Sequence, residues 1–344
     1  MMLQQLPSQI FTILFVACIF INTNELRSEK RENQDTVQRI SSDDFKIANS
    51  PRTRIISGLP PLQTKSPWLR TSIVAASMTG LIAGQHIIQI NTIWKNKGSF
   101  KFQEDGGYAL WEDKASHIYA SFFSSYLFTE SLLAADFSYE DAIWGGAAMG
   151  FSYLTYIEIM DGFGVDFGFS PGDFYFNVIG SAFYLGQYYF PYLQNITPKF
   201  VYIPASWHGE LERKDAIFAI DDYSSQTNWL SFNVYNMIPA IQDYWPRWLE
   251  ISLGYAARNL SDEPAPSGYS NREYKGIVEY PLYGSPRIIL ALDYNLKQLI
   301  GKTDYNFLNW FLQTLDYVKL PSPAVEFEIN GRTRFYLMYP FPIN

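Results

Sequence analysis

The sequence predicts an α+β fold: a four-helix bundle, membrane-associated or else buried and soluble, followed by a small antiparallel sheet region with one short helix. Three observations predict it. Residues 71–94, 115–129, 142–157 and 174–198 contain no Asp, Glu, Lys or Arg, and turn residues bound them. Past residue 198, residues 249–255 and 288–294 alternate apolar and polar side chains, the period of a strand. Asn330-Gly331 stands between two further strand-like runs, a strong hairpin signal.

Residues 10–21 (IFTILFVACIFI) form an apolar run with the length of a signal-peptide core, too short to span a bilayer as a helix. Residues 1–21 therefore read as a signal peptide or lipoprotein leader. Cys18 is the single cysteine, preceded by Leu14-Phe15-Val16-Ala17. It is a candidate lipidation site, or equally an apolar residue of the leader. Residues 22–66 are polar and mixed in charge, and predict a disordered tether. Residues 67–198 predict the bundle and residues 199–344 the sheet-containing region. Gly80-x-x-x-Gly84 and Gly146-x-x-x-Gly150 place small residues on one helix face, where backbones can approach closely.

Composition narrows the function. The chain has 344 residues, 47% apolar and 17% charged, which suits a large core and excludes a mainly disordered chain. A net charge of -8 argues against nucleic-acid binding. One cysteine excludes a disulfide framework or a cysteine-rich metal site. Aromatics are abundant, with 9 Trp, 25 Tyr and 26 Phe, and only four of them precede Trp68. Tyr and Trp at helix ends suit a bilayer interface.

One polar constellation stands out. Asp113, Lys114 and His117 open the second helix, with Asp113 and His117 one turn apart. Glu158 and Asp161 close the third. Asp173 and Asn177 open the fourth, with Gly180 on the same side. In an up-and-down bundle these three ends meet. Carboxylates gathered there repel unless Lys114, His117 or a cation balances them. Asp113 and Asp173 also suit helix starts, but Glu158 lies near a helix C-terminus, where the dipole disfavours a negative charge. Asp113, Glu158, Asp161 and Asp173 are the candidate metal ligands, for a hard divalent cation such as Mg, Mn or Ca. His117 and Glu158 are the candidate catalytic residues, and Lys114 and Asn177 the candidate binding residues.

These motifs carry a resemblance. D-K-x-x-H at 113–117, E-x-x-D-G-F at 158–163 and S-x-G-D-x-x-x-N-x-x-G at 170–180 resemble the YfiM-like family of predicted periplasmic lipoproteins. Residues 223–233 (YSSQTNWLSFN) look like longer members. The resemblance covers roughly residues 67–344 and is strongest from 111 to 187. The same order is more distantly similar to VanZ-like membrane proteins. The resemblance implies a cell-envelope location and no established activity.

Other motifs fail on chemistry. Gly168-Phe-Ser170-Pro171-Gly172 fits G-x-S-x-G, but Pro171 lacks the N–H a nucleophile elbow needs; it reads as a helix start capped by Ser170. Three histidines leave little for a multi-histidine zinc site. The hairpin register follows from charge: a three-residue loop at 329–331 pairs Phe327 with Thr333, Val325 with Phe335 and Glu326 with Arg334. Two functions remain open. One is a non-enzymatic envelope protein that binds membrane lipid or an envelope partner, with the acidic cluster organising the bundle. The alternative is a cation-dependent hydrolase acting on a lipid or cell-wall head group, with His117 as base. The expected location is the bacterial cell envelope, periplasm-facing and membrane-associated; the alternative is a multi-pass membrane protein.

Overall fold

The computed structural model describes residues 37–47, 50–211, 220–261, 272–273, 283–329 and 331–341. The leader with Cys18, the first part of the expected tether and the surface loop at 262–269 lie outside the described residues. The four uncharged runs all form helix: α1 (Trp68–Asn91), α2 (Glu112–Ala134), α3 (Tyr139–Gly162) and α4 (Pro171–Tyr189). Ser138 caps α3 and Ser170 caps α4, each hydroxyl accepting the backbone N–H three residues on, and Pro171 occupies the first turn of α4. Ser170 is therefore a cap, as its neighbours predicted.

The four helices pack unevenly. α2, α3 and α4 pack on one another, but α1 is peripheral. Among the described residues α1 is the helix long and apolar enough to cross a membrane, and only Val74 and Gln89 of its side chains are buried. The two glycine pairs differ accordingly. A Cβ on Gly146 would lie 2.7 Å from the Ser125 carbonyl oxygen, and one on Gly150 2.6 Å from the Ser125 nitrogen. At Gly80 and Gly84 nothing lies within 4 Å. The fourth uncharged run is also two elements. α4 stops before Pro191, which cannot continue a helix, and residues 196–198 open a strand.

The described part of the expected tether packs against the helices. Strands β1 (Lys46–Ile47) and β2 (Ser50–Pro51) pair, and Phe45, Arg52 and Arg54 are buried. Arg52 lies 2.6 Å from Glu130 of α2 and faces the rings of Tyr126 and Tyr139. Arg54 pairs with Asp136 and donates to the Leu133 carbonyl. The arginines of this polar, mixed-charge stretch instead match a buried acid 78 residues away and a half-buried one 82 residues away.

The C-terminal region is an antiparallel sheet. Its strands are β3 (Ile196–Tyr202), β4 (Gln226–Phe232), β5 (Leu249–Ser261), β6 (Arg272–Glu273), β7 (Tyr283–Tyr294), β8 (Ala324–Glu328) and β9 (Thr333–Tyr336). The order is β3-β4-β5-β7-β8-β9, with β6 also on β7. Helices α5 (Val234–Met237), α6 (Leu296–Ile300) and α7 (Asn306–Leu315) sit in its connections. The hairpin has the expected register, Phe327 opposite Thr333 and Glu326 opposite Arg334.

The sheet's polarity is inverted. One row runs across six strands as Pro198, Leu230, Leu253, Leu290, Val325 and Phe335. Leu253 and Leu290 in it are 45% and 49% exposed, and Phe335 is 76% exposed. On the opposite face, Lys199, Ser231, Glu250, Ser252, Asp293 and Glu326 are all nearly inaccessible. Alternation at 249–255 and 288–294 thus marks half-buried strands, but the polar half is the buried one. The inner charges are paired: Lys199 lies 3.1 Å from Asp293, and Arg287 lies 2.5 Å from Glu328.

Candidate functional site

The start of α2, the end of α3 and the start of α4 meet, as an up-and-down arrangement requires. An unusual turn delivers the first of these. Ala109, Leu110 and Trp111 all have left-handed backbone, with φ of 50°, 57° and 73°. The Tyr255 hydroxyl on β5 donates to the Leu110 carbonyl and holds the turn. The turn aims Glu112, Asp113 and Lys114 inward, all at most 3% exposed.

Lys114 is the hub. Its ammonium lies 2.6 Å from Asp105, 2.7 Å from Asp113 and 2.5 Å from Asp173. A Cβ on Gly172 would press on the Lys114 chain at 3.3 Å, so the α4 start is shaped to admit it. His117 faces the same carboxylates. Its Nε2 is 3.5 Å from Asp113 Oδ1 and 3.6 Å from Asp173 Oδ1. Its Nδ1 is 3.1 Å from Asn177 Oδ1 and 3.7 Å from Glu158 Oε1. The helices can come this close because α4 meets α2 at Gly180, where a Cβ would strike the Ile118 carbonyl at 2.3 Å.

All the site residues predicted from 113 to 177 converge, but not as one ligand set. Asp161 accepts the Trp94 indole N–H at 2.6 Å and stands apart from Lys114. Three participants were not predicted. Asp105 was read as a turn residue, yet it holds Lys114 and accepts the Ser170 hydroxyl at 2.6 Å. Tyr223 donates to Asp113 Oδ1 at 2.6 Å. It opens the segment 223–233, which the family resemblance had marked. Asn228 of β4 donates to the buried Glu112.

Burial dominates the electrostatics. It pushes Glu158 up to about 9, against the opposing pull of His117. Burial likewise raises Asp161 and Asp173, each to about 7. Asp113 goes the other way: burial raises it, but Lys114 and His117 outweigh burial and keep it ionised. Burial lowers Lys114 and His117, and the surrounding carboxylates more than reverse that, so both hold their protons. The centre thus sets an ionised Asp113 beside carboxyls that burial pushes towards their protonated forms.

The fold and this centre define a class: a helix-and-sheet protein with an enclosed charged centre among three helices and an apolar row on the outer face of its sheet. Residues 100–188 match the family described as predicted periplasmic lipoprotein, domain of unknown function 2279. The match contains the constellation from Asp105 to Asn177 and is narrower than the 67–344 the motifs suggested. It lends no support to the more distant VanZ-like similarity. No curated protein and no solved structure matches the chain. The matched description belongs to a family of the cell envelope, and among the described residues one helix, α1, is long and apolar enough to cross a membrane.

Proposed function

We propose that the chain is a non-enzymatic envelope protein that binds membrane lipid through the outer face of its sheet and through α1. The acidic centre locks α2, α3 and α4 together behind that surface. The carrying observation is the apolar row from Pro198 to Phe335, backed by a face of buried charges. A sheet in water turns its polar residues outward; apolar-out, polar-in alternation is what a lipid environment selects. Leu290, Leu292, Val325, Phe335 and Leu337 line a groove of about 680 Å³ on this face. α1 adds a second unburied apolar surface, with Trp68 at its start 78% exposed.

The hydrolase reading has less support. A general base must be free to take a proton, and the carboxylates around His117 already hold one on it.

Cys18 is the single cysteine, so Cys18→Ala with Leu253→Cys gives one site for an environment-sensitive fluorophore. With phosphatidylglycerol–phosphatidylethanolamine vesicles, emission shifts to the blue and brominated acyl chains quench it. A label that stays water-like on chain that floats with the vesicles refutes sheet contact. Chain that fails to float refutes the proposal altogether.

A further inference from the structure

We propose that the acidic centre is a divalent-cation site of the zinc type, with His117 Nε2, Asp113 Oδ1 and Asp173 Oδ1 as its protein ligands. The site is independent of the lipid-facing surface. It also differs from the ligand set the sequence suggested, since His117 becomes a ligand while Glu158, facing Nδ1, and Asp161, bound to Trp94, drop out.

The geometry carries the argument. Nε2 stands 3.5 and 3.6 Å from two carboxylate oxygens, beyond the ordinary hydrogen-bond range of about 2.7–3.2 Å. Those separations fit the edges of a tetrahedron, about 3.4 Å when metal–ligand bonds are about 2.1 Å. The three donor atoms all lie within 4.8 Å of one another. On the other side of the ring, both neighbours of Nδ1 are acceptors, Asn177 Oδ1 and Glu158 Oε1. Nδ1 therefore carries a proton, and Nε2, once it gives up the proton that the metal-free centre holds on it, presents a lone pair to two oxygens. Only a proton or a cation between them relieves that repulsion. The arrangement is the one a ligating histidine uses, its second nitrogen donating to an outer partner. Tyr223, donating to Asp113 Oδ1, orients a ligand in the same manner.

A second, independent observation points to a ligand. Glu158 is 1% exposed, its Oε1 has no hydrogen-bond partner, and it faces His117. The amide nitrogen of Asn177, fully buried, also lacks a partner. Charge agrees with both. Lys114 pairs with Asp105, Asp113 and Asp173 at once, so one ammonium is shared among three carboxylates. One imidazole with two carboxylates suits Zn²⁺ or Mn²⁺ better than Ca²⁺, which wants six or more oxygens.

The experiment uses the full chain, stripped with chelator and titrated with Zn²⁺ or Co²⁺. One equivalent binds, and Co²⁺ gives the visible absorption of a tetrahedral site. Asp173→Asn and His117→Gln each lower affinity at least tenfold, while Asp161→Asn stays within threefold of wild type. Should the first two variants misfold, ¹⁵N-histidine spectra of the wild type decide: Zn²⁺ must shift Nε2 of one of the three histidines. Absence of binding to folded wild type overturns the proposal. So does binding that survives in folded Asp173→Asn and His117→Gln, or histidine signals that do not move.

Discussion

Alanine at Gly146 and at Gly84 tests the packing of the helical part, because the two substitutions are chemically identical and structurally opposite. A Cβ at Gly146 would meet Thr129 Oγ1 at 2.0 Å and the Ser125 oxygen and Thr129 nitrogen at 2.7 Å. Thr129 cannot easily turn away, because its hydroxyl donates to the Ser125 and Ala142 carbonyls. A relaxed carbon–oxygen contact is about 3.3 Å, so α2 and α3 must separate by about 0.6 Å. Such overpacking costs about 1–3 kcal/mol, more where backbone rather than side chain must yield. The better helix propensity of alanine returns at most about 1 kcal/mol. Gly146→Ala therefore loses about 2 kcal/mol, a fall in Tm of about 3 °C for a chain of this length. Gly84, with nothing within 4 Å, gains about 1 kcal/mol as alanine. Circular-dichroism melts of the two variants and wild type in the same detergent provide the comparison. Equal melting of the two variants would refute the close approach of α2 and α3.

Three further outcomes are expected. Glu130→Gln strips Arg52 of its counter-ion, both side chains being at most 3% exposed, and costs about 3–5 kcal/mol in chemical denaturation; an unchanged midpoint would show that residues 37–66 do not anchor to α2. His208 is pulled down to about 4, chiefly by burial and then by Arg258, so the fold favours its neutral form. Its contribution, about 3 kcal/mol, is complete above pH 6.5 and vanishes as pH falls towards 4, so the wild-type-minus-His208→Gln stability difference must slope across that window. Ser170→Ala removes the α4 cap and the hydroxyl on Asp105, and lowers stability by about 1 kcal/mol in the same melts, with proteolytic sensitivity rising at the α4 start.

Helices were the most legible part of the sequence, because uncharged runs bounded by Ser138, Ser170 and Pro171 state both their extent and their caps. The acidic centre was legible because helix order alone brings Asp113, Glu158 and Asp173 to one end. Long-range partners were not: Tyr223 reaches Asp113 across 110 residues, and Arg52 reaches Glu130 across 78. The strands show a different gap. Alternation at 249–255 gives the period but not which half is buried, and here the buried half is the polar one, with Glu250 and Ser252 nearly inaccessible. β3 stayed hidden because its first three residues continue an uncharged run that also contains α4.

The left-handed turn at 109–111 has a consequence for the order of assembly. Three successive residues in that conformation cost about 1–2 kcal/mol each, which a nascent helix cannot supply. The hydroxyl that steadies them belongs to Tyr255, made 145 residues later. The family-matched segment, although synthesised first, must wait with its charged helix start incomplete until β5 arrives. Biogenesis and architecture thus run in opposite directions: the segment that matches the family model is finished by the part outside the match.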